Sequence, residues 1–196
     1  MREAPTFVGP ACTSEDDARD RWLVERFRHG EHQAFAELVA RYQRPVFNAA
    51  YWVTRRDEDA ADVAQTAFLK AAERIDDYDP RYRFFSWLYR IAVNEALNVV
   101  RGRARDEPLD DEFDAEDGDA PGPERSLDLQ ERQRALHAAM LKLSTPDRTV
   151  LTMRHFSECS YDEIAQVLEI DEKTVKSRLH EARGRLRRLL DGMNGH

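Results

Sequence analysis

The chain has 196 residues, of which 41% are hydrophobic and 35% are charged, and its formal net charge is -8. That length holds one ordinary domain or two small ones, and the composition is typical of a soluble helical protein. Glycine and proline are too few for a turn-rich β-sandwich, and no apolar run approaches the about 18 residues of a membrane-spanning helix.

The two cysteines, Cys12 and Cys159, lie far apart in the sequence and belong to no metal-ligand pattern. They fit a reducing compartment better than a secreted disulfide scaffold. The N-terminus lacks the apolar core of a signal peptide. We therefore expect a cytoplasmic protein that is not inserted in a membrane and holds no metal or other cofactor.

The N-terminal residues 1–19 contain proline and glycine and predict a flexible arm. Helical periodicity begins near Asp20 and ends at Gly30. Apolar positions then predict a long helix over residues 35–50. This helix should bend or restart at Pro45, because proline has no amide hydrogen and clashes with the preceding turn.

A third helix is predicted over residues 57–75, and polar side chains line one of its outer faces. Spacings of three and four residues place these positions along one line. Such a line suits the docking of a basic helical partner, although an ordinary solvated face is the alternative. The positions are Glu58, Asp59, Asp62, Gln65, Thr66 and Leu69.

Aromatic residues alternate with arginines in the following loop and in a fourth helix, predicted over residues 84–103. A helical core needs only some of these rings, so the others resemble a platform for stacking unpaired bases. The alternative is that all of them fill the junction between two helices. The rings are Tyr78, Tyr82, Phe84, Phe85, Trp87 and Tyr89, beside Arg81, Arg83 and Arg90. Asn94, on the same helix, carries an amide that suits a base edge.

The net charge is unevenly distributed along the chain. Residues 106–124 contain acids and prolines but no lysine or arginine, whereas residues 173–188 are strongly basic. The acidic segment cannot bury enough apolar surface to offset its ordering entropy, so we expect a disordered linker. The basic segment is compatible with a nucleic-acid partner in spite of the net charge.

A second helical block follows the linker, with helices predicted over residues 127–143 and 146–156. Ser160 and Glu163 then have the spacing of a capping box, which marks a helix start. Asp171 is a suitable N-cap for a last helix. The apolar positions of that last helix, which should face inward, are Val175, Leu179, Ala182 and Leu186.

The outer positions of the last helix are basic or carry hydroxyl groups. A short helix, a turn and a helix with such a face form the helix-turn-helix pattern, whose second helix enters the DNA major groove. A helical hairpin with a solvated basic face is the alternative. The candidate DNA-binding residues are Lys173, Thr174, Lys176, Ser177, Arg178, His180 and Arg183. Without any strand signal, the predicted fold is all-α, with small helical domains over residues 20–105 and 125–191.

Five segments, in this order, resemble the extracytoplasmic-function sigma factors, which are two-domain initiation subunits of bacterial RNA polymerase. The similarity covers about residues 20–190. It rests on Ala34–Val39, Asp62–Gln65, Trp87–Ala92 with Asn94, Ser160–Ala165 and Thr174–Leu179.

The resemblance implies that residues 20–105 form region 2, which docks on the β′ clamp helices of core polymerase through the polar line of the third helix. Region 2 also melts the minus-ten promoter element, and by resemblance Tyr78, Trp87, Arg90 and Asn94 lie where the family captures its bases. The resemblance further implies that residues 125–191 form region 4. That region reads the minus-thirty-five element of promoter DNA through the outer face of the last helix and contacts the β flap.

Two residues depart from the family pattern. Glu181 stands where many relatives carry a basic residue, which implies a different promoter preference. Thr66 stands where relatives usually have glutamate, which weakens the acidic clamp-binding surface. A subgroup of the family is activated by a Ser/Thr kinase, so Thr66 is a candidate phosphosite, and a kinase or an anti-sigma factor is the expected regulator.

Two other function classes fit the sequence less well. An autonomous helix-turn-helix regulator that binds operators as a dimer would leave the aromatic loop and the polar line of the third helix without a role. An enzyme would need a catalytic motif, but Gly30 interrupts His29 and His32, and neither a phosphate-binding loop nor a nucleophile motif is present. We therefore expect no catalytic activity.

Overall fold

The computed structural model describes residues 14–106, 127–156 and 159–193. These residues form helices and no strand, which confirms the predicted all-α class. The N-terminal block consists of α1 (Ser14–Arg28), α2 (His32–Thr54), α3 (Asp57–Glu73), a short 3-10 helix (Ile75–Asp77) and α4 (Phe84–Asp106). The C-terminal block consists of α5 (Leu127–Leu141), α6 (Thr145–Phe156), α7 (Tyr161–Leu168) and α8 (Glu172–Met193).

None of the helices that the structure describes is both long and apolar enough to cross a membrane. The predicted acidic linker lies outside the described residues, apart from Asp106, which ends α4. The predicted arm also lies outside them up to residue 13.

Helix α1 begins at Ser14, so the prediction that the flexible arm extends to residue 19 is wrong. Acidic residues in the first turn suit the positive end of the helix dipole. Two of them also have distant partners: Asp16 pairs with Arg41 of α2, and Asp17 accepts a hydrogen bond from Arg83 at 3.2 Å. Contacts between positions so far apart in the chain leave no periodic signal in the sequence.

Helix α2 continues through Pro45 to Thr54 and does not restart at the proline. Tyr42 and Val46, on either side of the proline, are fully buried. The helix packs against α1, α3 and α4. This burial outweighs the about 3 kcal/mol that an interior proline costs.

A buried carboxylate fixes α1 on α2. The Asp20 side chain is buried, accepts a hydrogen bond from the Tyr42 hydroxyl and lies 3.4 Å from Arg41. Burial raises the pKa of Asp20, while the Tyr42 hydrogen bond and the Arg41 charge oppose that rise. The group is therefore held in place by a hydroxyl and a guanidinium that compensate in part for its lost hydration.

The two blocks pack against each other, with α2 on α6 and α4 on α7. Their buried apolar residues form one continuous core. At the junction, the indole of Trp52 and the imidazole of His137 have ring centroids 4.9 Å apart. The Arg148 side chain is fully buried there, and its Nε donates a hydrogen bond to the Trp52 carbonyl oxygen.

This junction predicts a pH-dependent stability. Burial lowers the pKa of His137 from its ordinary 6.5. The unfolded chain therefore binds more protons at this residue than the folded chain below about pH 6.5, and the free energy of unfolding should fall as the pH falls through that range. His137→Phe keeps a ring against Trp52 but cannot titrate, so the variant should lose less stability than the wild type between about pH 7.5 and pH 5.5. Urea unfolding at both pH values measures the difference, and identical pH dependence in the two proteins would contradict the prediction.

Candidate nucleic-acid and partner-binding surfaces

Helix α7 begins at a capping box. The Ser160 hydroxyl accepts a hydrogen bond from the Glu163 amide at 3.2 Å, and the Glu163 carboxylate accepts one from the Ser160 amide at 2.8 Å. This arrangement confirms the predicted capping box. Helix α7 ends at Leu168, and its C-cap Glu169, with a φ of 54°, turns the chain in the left-handed conformation.

Asp171 caps α8, as predicted. Its carboxylate accepts hydrogen bonds from the amide and the hydroxyl of Thr174, both at 2.8 Å. These bonds hold the pKa of Asp171 below its ordinary value, and the bond from the Thr174 amide has the largest effect. A cap of this kind stabilises the first turn of a helix by about 1 kcal/mol and fixes the direction in which the helix leaves the turn.

The inner face of α8 largely agrees with the sequence prediction. Val175, Leu179 and Ala182 are buried, and Leu186 is only partly buried. The helix packs against α5, α6 and α7. The opposite face of α8 is consequently turned towards solvent.

The outer face brings the seven candidate DNA-binding residues onto one stretch of α8. We call these residues the basic stripe. Two members, Thr174 and Arg178, are partly buried, and the Thr174 hydroxyl is bound to Asp171. The exposed members are Lys173, Lys176, Ser177, His180 and Arg183. Cationic and hydroxyl groups on one exposed helix face can contact both phosphates and base edges.

Tyr161 supports the basic stripe and was missed in the sequence analysis. The Lys176 ammonium lies 5.5 Å from the centre of its ring, and the Arg154 guanidinium lies 5.1 Å from it. Cation–π contacts of this length link α6, α7 and α8 around one ring. The only sequence signal is an aromatic residue directly after the N-cap Ser160, which by itself does not indicate this role.

The polar line on α3 is exposed at some positions and partly buried at others. Glu58, Asp62 and Gln65 are exposed, and so is Leu69, at 59%. Asp59 is partly buried and forms an ion pair with Arg103 of α4. The line thus offers solvent an apolar side chain among acidic and amide groups, which is a composition suited to a protein partner.

Thr66 lies within this line and is partly buried. Asp62 lies one helical turn before it and Lys70 one turn after it. The Lys70 ammonium is 2.7 Å from the Glu95 carboxylate of α4. The positive charge closest to Thr66 along the helix is therefore already paired with a carboxylate.

The aromatic platform expected after α3 is not exposed in this conformation. Five of its six rings belong to the buried core, and Tyr82 alone among them is exposed, at 54%. The Tyr78 hydroxyl donates a hydrogen bond to the Tyr82 carbonyl oxygen at 2.8 Å, and burial raises the pKa of Tyr78 to about 12. The expectation that several of these rings present stacking faces to solvent is wrong for this conformation.

Contacts with α1 explain this burial. The Arg28 guanidinium donates hydrogen bonds to the carbonyl oxygens of Ile75 and Tyr78, at 2.8 and 2.9 Å. These bonds hold the loop against α1. The Tyr78 ring then packs between Phe84 and Trp87, with ring centroids 5.6 Å away from each.

The remaining candidates lie on α4. Asn94 is exposed, whereas Trp87 is buried and Arg90 is partly buried. The Arg90 guanidinium is 3.6 Å from the carboxylate of Glu163, the capping-box residue of α7. The structure thus brings a candidate minus-ten residue next to the helix-turn-helix. Among the described residues, no three His, Cys, Asp or Glu side chains are grouped so as to hold a metal ion.

Two family models match the chain in the order of the two blocks. Residues 38–106 match the model described as Sigma-70 region 2, and residues 133–186 match the model described as Sigma-70, region 4. The RNA polymerase sigma-H factor of Pseudomonas aeruginosa is 36% identical over 177 residues, which are 84% of this chain and 90% of that protein. The ECF RNA polymerase sigma factor SigW of Bacillus subtilis is 32% identical over 176 residues, covering 85% of this chain and 94% of that protein.

Two solved structures have a similar fold. The complex of CnrH with the cytosolic domain of CnrY matches with a TM-score of 0.58 and 30% identity, covering 89% of this chain and 98% of that chain. The complex of the sigma factor RpoE with the anti-sigma factor NepR from Bartonella quintana matches with a TM-score of 0.61 and 27% identity. That match covers 80% of this chain and 96% of that chain.

Proposed function

The chain belongs to the extracytoplasmic-function sigma factors, which direct RNA polymerase in the initiation of transcription, and we propose that its two blocks divide the recognition of polymerase and promoter. The N-terminal block binds the β′ clamp helices of the core enzyme and the minus-ten element. The C-terminal block binds the minus-thirty-five element and the β flap. The basic stripe on α8, whose first turn is capped by Asp171, is the observation that carries the DNA-binding part of this proposal. An autonomous regulator would leave the N-terminal block, with its match to region 2, without a role.

The basic stripe is the proposed reader of the minus-thirty-five element. Its exposed members can reach a major groove because the inner face of α8 is committed to the core. Asp171 caps the first turn of α8 and so fixes the direction in which this helix leaves the turn. Lys176 is further positioned by Tyr161 and lies 3.7 Å from Glu172.

Loss of a cation from the basic stripe should weaken promoter recognition. For Lys176→Ala and Arg178→Ala we expect promoter affinity and transcription to fall by an amount equivalent to about 1–3 kcal/mol where the side chain reads a base. Binding to core polymerase should persist, because the main clamp contact lies in the other block. Arg187→Ala is the matched control, since Arg187 is exposed on α8 beyond the region 4 match. Run-off transcription and core binding measure the effects, and normal transcription by both stripe variants would refute this role.

The proposed minus-ten surface is built around α4. Asn94 is exposed and can offer both a donor and an acceptor to a base edge. Arg90 adds a cation on the same helix once it is released from Glu163. Tyr78 and Trp87 lie beneath this surface, so in the described conformation they support it by packing.

Asn94→Ala should impair promoter melting while closed complexes still form. Extruding a base from the duplex stack costs a few kcal/mol, and that cost must be offset by contacts to the flipped base. Permanganate reactivity of unpaired thymines should therefore fall, whereas retention of duplex promoter by the holoenzyme should remain close to wild type. Asn98→Ala, one turn later on the same helix and also exposed, is the matched control. Wild-type melting by Asn94→Ala would exclude Asn94 from this surface.

The α3 line, with Glu58, Asp59, Asp62, Gln65, Thr66 and Leu69, is the proposed clamp-binding surface. Within it, we propose that Thr66 is a phosphorylation switch. A phosphate adds about -1.5 to -2 charges and three acceptor oxygens. Lys70 is engaged with Glu95, and Asp62 is a like charge, so the phosphate gains little stabilisation inside the helix. Stabilisation of the phosphate must therefore come from basic groups on the partner.

Thr66 variants should mimic either the phosphorylated or the unphosphorylated protein and so differ in activity. Thr66→Ala should be inactive in cells, whereas Thr66→Glu and Thr66→Asp should be partly active without a kinase, because one carboxylate supplies only part of the phosphate charge. Gln33→Glu, which adds a carboxylate at an exposed position of α2, controls for net charge. Core binding and reporter transcription are the measurements. Unmodified protein that binds core polymerase as strongly as Thr66→Glu would refute the switch.

An anti-sigma factor is the other proposed regulator. One of the two similar structures holds CnrH with the cytosolic domain of CnrY, and the other holds the sigma factor RpoE with the anti-sigma factor NepR. If an anti-sigma factor alone controls this chain, Thr66→Ala will remain active once that partner is deleted. The Thr66 variants therefore also distinguish the two modes of control.

A further inference from the structure

A histidine outside the recognition helix lies at the border of the basic stripe. His155 belongs to the last turn of α6 and is exposed. Helix α6 packs against α8, and this packing places the His155 Nε2 atom 3.4 Å from an Nη atom of Arg183, a member of the stripe. Tertiary structure therefore adds to the stripe an imidazole from a position 28 residues earlier in the chain.

The contact between the two side chains fixes the protonation state of His155. A guanidinium carries hydrogen-bond donors and no acceptor, so Arg183 must donate and the His155 Nε2 atom must accept. An imidazole nitrogen that accepts a hydrogen bond carries no proton. The ring is consequently neutral in this arrangement, and a proton on Nε2 would break its contact with Arg183.

The surroundings of the ring also favour the neutral form. Partial desolvation lowers the pKa of His155 from its ordinary 6.5, and the charges of Arg183 and Arg154 lower it further. The C-terminal end of α6 acts in the opposite direction, because a helix C-terminus favours a cation. No acid of α2, α6, α7 or α8 that the structure describes is among the charges acting on the imidazole; Glu158 lies outside the described residues.

Arg154 is held in place beside this ring. Its guanidinium donates a hydrogen bond to the Cys159 carbonyl oxygen at 2.9 Å and lies 5.1 Å from the centre of the Tyr161 ring. Protonation of His155 in the free protein would thus add a third positive charge to two that are already close. An anion that approaches this group reverses the balance, because it stabilises the imidazolium and both guanidinium groups together.

A DNA backbone phosphate has the charge and the acceptors that this group requires. It carries one negative charge, and phosphate oxygens are the acceptors that arginine side chains at a DNA interface most often contact. When a phosphate oxygen accepts from Arg183, the His155 Nε2 atom loses its donor and is free to take up a proton. The imidazolium can then donate a charge-assisted hydrogen bond to the same phosphate.

We propose that His155 is a phosphate contact that binds DNA as the imidazolium, so that engagement of the minus-thirty-five element by the C-terminal block takes up a proton. This inference rests on the proposed assignment of the basic stripe to that element. The free protein loses the proton at a lower pH than the complex does. Between those two pH values the complex holds more protons, and its affinity for the promoter rises as the pH falls.

The pH dependence of promoter affinity tests the proton uptake. Holoenzyme reconstituted from core polymerase and the full chain is titrated with promoter duplex between pH 8 and pH 6 at constant salt. The affinity of the wild type should rise about three- to tenfold more over this range than that of His155→Gln, which can accept from Arg183 but does not titrate. Comparison of the two proteins removes the titration of all other groups. Equal pH dependence would overturn the inference.

The salt dependence distinguishes a phosphate contact from a contact to a base edge. Each phosphate neutralised by a cation adds about 0.9 to the slope of log affinity against log salt concentration. The wild-type slope should therefore be steeper at pH 6 than at pH 8 by up to about 0.9, whereas the His155→Gln slope should change less. His155→Lys, which is charged throughout, should have the steeper slope at both pH values. A wild-type slope that changes no more than that of His155→Gln would overturn the phosphate contact.

Two other histidines serve as controls. His180→Gln removes a titratable ring within the stripe, and His29→Gln removes an exposed ring from the N-terminal block. Both variants should keep the pH dependence that His155→Gln loses, whatever the affinity of His180→Gln itself. Loss of that dependence in His180→Gln would assign the proton to His180 and overturn the inference. Failure of the proposed function has a different signature, since Lys176→Ala and Arg178→Ala would then bind the promoter as the wild type does.

Discussion

Burial of α2 is the constraint on which the rest of the structure depends. Its Tyr42 hydroxyl fixes Asp20 of α1, and the Tyr42 ring stacks 5.3 Å from Phe85 of α4. At its end, the Trp52 carbonyl accepts a hydrogen bond from Arg148 of the C-terminal block. One helix thus sets the position of its neighbours in both blocks, and its burial explains why Pro45 is tolerated in the middle of it.

The two proposed DNA-binding surfaces are built in different ways. The basic stripe depends on local features, since Ser160, Glu163 and Asp171 fix α7 and α8 within a short stretch of chain. The α4 surface depends on distant residues, because Arg28 of α1 holds the loop whose Tyr78 packs under it. A change in the N-terminal block can therefore alter the α4 surface without touching it, whereas the basic stripe is largely self-contained.

This difference explains how much the sequence could predict. Caps, inward apolar positions and the all-helical class follow from short spacings, and they agree with the structure. The start of α1 depends on Asp16 and Asp17 meeting arginines far along the chain, and the burial of Tyr78 depends on Arg28. The contact between Arg148 and Trp52 joins positions in different blocks, so no local pattern reveals it.

The two faces of α8 have separable effects on fitness during evolution. Val175, Leu179 and Ala182 are committed to the core, so substitutions there are penalised through folding. Most of the basic stripe contacts solvent, so substitutions there have little effect on the free energy of folding. Gene duplicates can therefore drift in promoter preference while keeping the same scaffold, which is a simple physical route by which one ancestral sigma factor gives rise to several regulons.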